Sequence, residues 1–185
     1  MGTPRFYLMF VIFLLGASSG LMILGALPRI ATIQAGITDT ALLVSFMAIM
    51  NAVGRIVGGF ISDKIGRVNT LILIFIIQMA NMAGFLIYNN LPLIILGIIG
   101  AGFCFGAILS IFPALTADQF GLKNYGQNYG IVYLAWGLSG VVAPVIAANI
   151  YNRHGNYDLA YIICVIMMAF LLAVTFVLKK EVKKN

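Results

Sequence analysis

Six long apolar runs, separated by short turns rich in Pro, Gly, Asn and charge, leave this chain few folds to adopt. They cover residues 6–27, 40–61, 68–88, 92–116, 127–150 and 158–178, each near the ~20 residues with which an α-helix crosses ~30 Å of hydrocarbon. In hydrocarbon every backbone N–H and C=O must bond internally, so runs of this length span as helices, whereas a β-barrel shows short alternating stretches. Composition agrees, since 62% of the residues are hydrophobic and only 9% charged, against roughly half and a quarter in soluble domains. The fold class expected is all-α, a polytopic membrane protein forming a single domain over residues 1–185, with a tail at 179–185 and no soluble domain.

Six spans bring both termini to one side. That side holds Arg5, Lys64, Arg67, Lys123, Lys179, Lys180, Lys183 and Lys184, and the far side only Arg29 and Arg153. This eight-to-two bias places the termini in the cytoplasm of a plasma or inner membrane. The net charge of +6 is then a matter of loops and of the run "KKEVKKN" facing anionic lipid, and no nucleic-acid partner is expected. The first run continues past the small residues "GASSG", which reads as a span and not as a cleaved signal. Met1-Gly2 is followed by Phe6 where myristoylation needs Ser or Thr, so no lipid anchor is expected.

Catalytic chemistry finds little to work with. No nucleophile, base and orienter occur together, and the acids lie at span edges, so an enzyme is not expected. Cys104 and Cys164 fall mid-span as small packing residues, and His154 stands alone in a far-side loop. Neither a metal site nor a cofactor is expected, and no carboxylate inside a span offers a proton relay.

Glycine carries the packing signal. Gly54 and Gly58, Gly102 with Gly106 and Ser110, and Gly126 with Gly130 form small residues four apart, the spacing that lets helix backbones approach closely in lipid. Pro113 and Pro144 predict kinks within spans four and five. Gln78 and Asn81, one turn apart in span three, predict hydrogen bonds across helices.

The stretch "GRIVGGFISDKIGRVN", 54–69, has an arginine inside an apolar run and a tight cluster of charge and glycine after it. Arg55 sits inside an apolar run, about five residues or ~7 Å past its middle, with Asn51 one turn earlier on the same face. An intramembrane arginine is costly and marks a functional site unless its long stem snorkels to the interface. Its planar fork grips a carboxylate bidentately, as lysine does not. In span five, Tyr129 and Trp136 stand seven apart on one face, beside a small-residue stripe of Gly130 and Gly137 read as a close-packing seam. Tyr133 lies between the two stripes, with a hydroxyl able to donate to an anion.

The segment "GFISDKIGR", 59–67, has the form G-x-x-x-D-[K/R]-x-G-R between two spans, and it resembles the loop between the second and third helices of each half of a major facilitator superfamily carrier. Gly59 is expected to let the helix end lie against a neighbour and Gly66 to permit a tight turn. Asp63, in the loop, is expected to cap a helix or pair with a base, and Lys64 and Arg67 to reach carboxylates or helix C-termini, Asp118 among them. The resemblance implies a gate latch that forms in one state of the carrier.

"FPALTADQFGLKNYGQNYGIVYLAWGLSGVVAP", 112–144, together with "FMAIMNAVGRIVGGFISDKIGR", resembles the C-terminal half of the oxalate/formate antiporter-like branch, with nearly the whole chain aligning to its last six helices. That resemblance implies one half of a twelve-helix bundle, with Arg55 as binder of a substrate carboxylate. Oxalate-carrying members have a lysine in the segment matching "YLAWGLSG", where this chain has Trp136. One cation in place of two favours a monocarboxylate such as formate or lactate. The resemblance implies as partners a small organic anion, the lipid bilayer and a second six-helix half, either a separate chain, a missing N-terminal half or a second copy. The rival expectation is a non-transporting membrane bundle or split-gene remnant whose polar residues only join helices.

Overall fold

The computed structural model describes residues 3–183, and these form six helices: α1 Pro4–Ala35, α2 Ala41–Ile65, α3 Arg67–Gly84, α4 Leu91–Phe120, α5 Tyr125–His154 and α6 Asp158–Lys183. All six are long and apolar enough to cross a membrane. Met1, Gly2, Lys184 and Asn185, on which parts of the charge count and the anchor argument fall, lie outside the described residues.

Local chemistry sets the helix ends. Asn90 caps α4 by accepting from the Leu93 amide at 3.1 Å, with a proline in the first turn where no amide partner is lost. Between α2 and α3 only Gly66 intervenes, at φ 91° and ψ 147°, a conformation that side-chain-bearing residues avoid. The connection is therefore tighter than sequence implied, and Ser62, Asp63 and Lys64 belong to the last turn of α2.

Helices exceed the apolar runs at most ends. Helix α1 runs on through Pro28 to Ala35, and α6 continues through Lys179 and Lys180, so the start of the expected tail is helical. The extra turn of α2 moves Arg55 toward the helix middle. It lies ten residues before Ile65, about 15 Å from that end by helix rise, which is farther than the sequence boundary implied and a longer reach for snorkelling.

Helix α4 is the central element. Within its most apolar stretch 61% of residues are buried, against 22% for α2 and 28% for α5, which therefore flank the bundle with open faces. The most extensive pairings are α2 on α4, α1 on α5 and α3 on α6, with α1 also touching α4. Two apolar cores stack along the bundle, one around Phe13, Phe75, Phe112 and Met168 near the terminal face. The other gathers Ile23, Leu27, Met47, Phe85 and Tyr161 toward the far face.

The α2–α4 seam is made by the glycines. A Cβ on Gly54 would strike the Phe103 carbonyl, one on Gly58 would strike Ala107, and one on Gly106 would strike the Asn51 carbonyl. Gly59 is not part of this seam: its nearest neighbour atom is the Ser110 Oγ at 3.8 Å, an ordinary contact, because it points one residue away from the facing backbone. The expectation for span five is also corrected. Gly126, Gly130 and Gly137 have no neighbour within 4 Å, since α5 packs on α1 through its opposite face, at Val132, Ala135 and Ser139. Gln78 and Asn81 do join helices, Gln78 donating to the Ser19 Oγ at 3.1 Å and Asn81 to the Gly97 carbonyl at 3.0 Å.

Candidate functional site

Arg55 stands on the open side of α2, exposed, with its Nε donating to the Asn51 Oδ1 at 3.2 Å. The i,i+4 geometry of the helix makes this contact, because residues four apart lie on one face. No carboxylate pairs with Arg55 among the described residues. Asn51 is held in turn by the seam, since its backbone packs against Gly106, and its Nδ2 is buried without a partner. The pair thus presents donors with almost no acceptor to match them, an arrangement suited to an anion.

On α5 the aromatic residues form one ladder. Tyr125 stacks on Tyr129 at 5.6 Å between ring centroids, Tyr129 meets Tyr133 at 5.4 Å, and Tyr133 stacks on Trp136 at 4.9 Å. Tyr133 also meets Phe13 of α1 at 6.1 Å, which ties the ladder to the core. The Trp136 Nε1 is buried with no partner, another orphan donor; a buried N–H left unpaired costs about 1–3 kcal/mol. Tyr125 was not singled out by sequence, although its place four residues before Tyr129 extends the same stripe. The structure brings Tyr129, Tyr133 and Trp136 together, and Tyr129 is the member of the ladder close to Arg55. No hydrogen bond or ring contact joins Arg55 to Tyr133 or Trp136 among the described residues.

A second cluster occupies the terminal face. Arg67, at the start of α3, pairs with Asp63 of α2, donates from Nε to the Asp118 Oδ2 of α4 at 3.2 Å, and donates to the Ser62 Oγ at 2.6 Å. One guanidinium therefore fastens three helices, a task its fork geometry suits. Asp63 acts from within a helix as an ion-pair partner and caps nothing, because α2 runs past it. Among the described residues Lys64 takes no carboxylate, and its Nζ lies 4.3 Å from the centroid of the Phe60 ring. Of the bases near Asp118, the tertiary arrangement selects Arg67. Ser62 is the partner that sequence left without a role. Among the described residues, no three His, Cys, Asp or Glu side chains converge as a metal site would require.

Six helices long and apolar enough to cross a membrane, with a charged fastening at one face, make this a polytopic helical bundle. The sequence profile of the Major Facilitator Superfamily matches residues 8–185, and the chain belongs to that family. It is 33% identical over 144 residues to the uncharacterized MFS-type transporter YhjX of Escherichia coli (strain K12), covering 76% of this chain and 36% of that protein. With the oxalate:formate antiporter of Oxalobacter formigenes the identity is 29% over 186 residues, covering 96% of this chain and 43% of the relative. With human monocarboxylate transporter 14 it is 28% over 189 residues, covering 95% and 35%. The chain thus spans less than half the length of these relatives. Its fold matches a crystal structure of an autoinhibited POT family peptide transporter with a TM-score of 0.80 at 16% identity, over 96% of this chain and 37% of that one.

Proposed function

We propose that this chain supplies one six-helix half of a secondary transporter for small organic anions, a monocarboxylate such as formate or lactate in preference to a dicarboxylate. The observation that carries the reading is Arg55, unpaired and exposed on the open flank of α2, with the orphan Asn51 amide beside it. Names of relatives, an oxalate:formate antiporter and monocarboxylate transporters, agree with an anionic substrate. Trp136, where the resemblance places a lysine in oxalate carriers, favours a single carboxylate.

Substrate would meet Arg55 with Asn51, Tyr129, Tyr133 and Trp136 forming one wall. The open faces of α2 and α5 would receive the second half, and the two halves would rock about the substrate. Asp63, Lys64, Gly66, Arg67 and Asp118, with Gly59 on the same helix turn, would make the gate, and breaking the Arg67 pairs would accompany opening. The Lys/Arg bias supports a cytoplasmic position for this gate and both termini, in a plasma or inner membrane.

The test is uptake of labelled formate, lactate and oxalate into proteoliposomes holding this chain with an N-terminal half. Arg55→Gln should nearly abolish binding, a loss of ~2–5 kcal/mol for a desolvated charge pair, and Arg55→Lys should weaken it. Unchanged anion binding by a folded Arg55→Gln carrier would remove the main support for this function.

A further inference from the structure

A second arginine, which the transport reading does not use, stands at the far end of the α1–α5 pairing. Arg29 follows Pro28 on the exposed side of α1, and its guanidinium carbon lies 4.8 Å from the centroid of the Tyr151 ring of α5. No carboxylate pairs with it among the described residues. The guanidinium also reaches the Tyr157 hydroxyl, and because it lies over an aromatic face its N–H donors stay in its own plane, where those not turned to Tyr157 can take a carboxylate at the edge.

Arg29 also borders a cavity of about 280 Å³ between the two helices, walled by Pro28, Pro144, Ala148 and Tyr157. At ~30 Å³ per water that is room for a small carboxylate with part of its hydration. Arg29 is the one charged side chain among the residues that line it. The walls are stiff, since both prolines fix their own backbone angles. The two helices are also close at this level, a Cβ on Gly25 standing 3.3 Å from the Pro144 ring.

This place is separate from Arg55. Tyr151, beneath Arg29, is 22 residues beyond Tyr129 on α5, about 33 Å by helix rise, so one small anion cannot touch both arginines. We propose that Arg29 and its cavity form a second carboxylate-binding station at the far face, where a small organic anion is held before or after it occupies Arg55. The inference rests on the organic-anion reading above for the chemical class of its ligand.

Phenylglyoxal, which adds covalently to arginine, tests both places in one sample, with peptide mass mapping to read each arginine separately. The full chain in lipid nanodiscs would be treated in sodium formate, in sodium lactate, and in sodium chloride of equal ionic strength. Formate or lactate should slow modification of Arg29 at least fivefold against chloride, and the protection should persist in Arg55→Gln. Ala148→Trp, which fills the cavity and keeps the arginine, should remove protection at Arg29 and leave it at Arg55. Equal Arg29 reactivity with and without carboxylate overturns the station while protection at Arg55 sustains the transport reading. Protection of Arg29 that survives Ala148→Trp overturns the cavity as its seat. Protection at Arg29 with none at Arg55 supports the far station and counts against Arg55 as anchor.

Discussion

The glycines of α2 and α4 and those of α5 share the same helical spacing, yet they face different surroundings. At Gly54, Gly58 and Gly106 the opposing helix comes so close that any side chain would collide with backbone or with Ala107. At Gly126, Gly130, Gly137 and Gly140 nothing lies within 4 Å. Small residues four apart describe a capacity for close approach, and whether it is filled depends on another segment. For α2 and α4 that segment is in the chain. For α5 none of the described residues supplies it, and its stripe stays open, as does the exposed side of α2.

The largest effect should come from filling the closed seam. Gly106→Leu drives a side chain into the Asn51 backbone, and since backbone cannot retreat as a flexible side chain does, the loss should reach about 3 kcal/mol, the upper part of the overpacking range. Thermal melting of the chain in detergent measures it. The comparison is broken if Gly137→Leu destabilises the isolated chain as much. Its expected cost there is within about 0.5 kcal/mol, as for open surface sites, while in an assembled two-half carrier it should lower transport at least tenfold by obstructing the facing half.

Contacts at the terminal face offer a second contrast, between a seam of close-packed backbone and a fastening of partly exposed ion pairs. Asp63→Asn leaves Asp118 on Arg67 and removes one partly exposed pair, so stability should fall by less than about 1 kcal/mol. Transport rate should drop several-fold with equilibrium anion binding nearly intact, and a large loss of binding in a folded variant would argue against a gate. The smallest effect is expected on the ladder of α5. Trp136→Lys should raise oxalate recognition relative to formate a few-fold in competition uptake, and an unchanged ratio would take Trp136 out of the site.

Much of this was legible along the chain because helical properties are local. Apolar run length foretold six spans, and the i,i+4 relation put Asn51 on the face of Arg55, where the two meet. The need for φ > 0 in a one-residue turn accounts for Gly66. Other features were misread for an equally physical reason. Charge in Ser62-Asp63-Lys64 looks like a loop, yet an amphipathic helix end carries it outside the apolar run, so hydropathy ended α2 a turn early.

Packing between distant segments lies beyond any local pattern. Asp118 had Lys64, Arg67 and Lys123 on the same side of the membrane, and only the crossing of α4 beside α2 and α3 brings it to Arg67, 51 positions away. The pair Gly126 and Gly130 reads like Gly54 and Gly58, and only the direction in which α5 faces α1 leaves it open. Sequence by itself determined that there are six long apolar helices, roughly where each lies and which polar groups stand within one turn of each other, because these follow from rise, periodicity and backbone sterics. Tertiary structure alone decided which glycine face is closed, which acid Arg67 holds and that Arg29 borders a cavity, because inter-helix register is set by the shape fit of surfaces far apart in the chain.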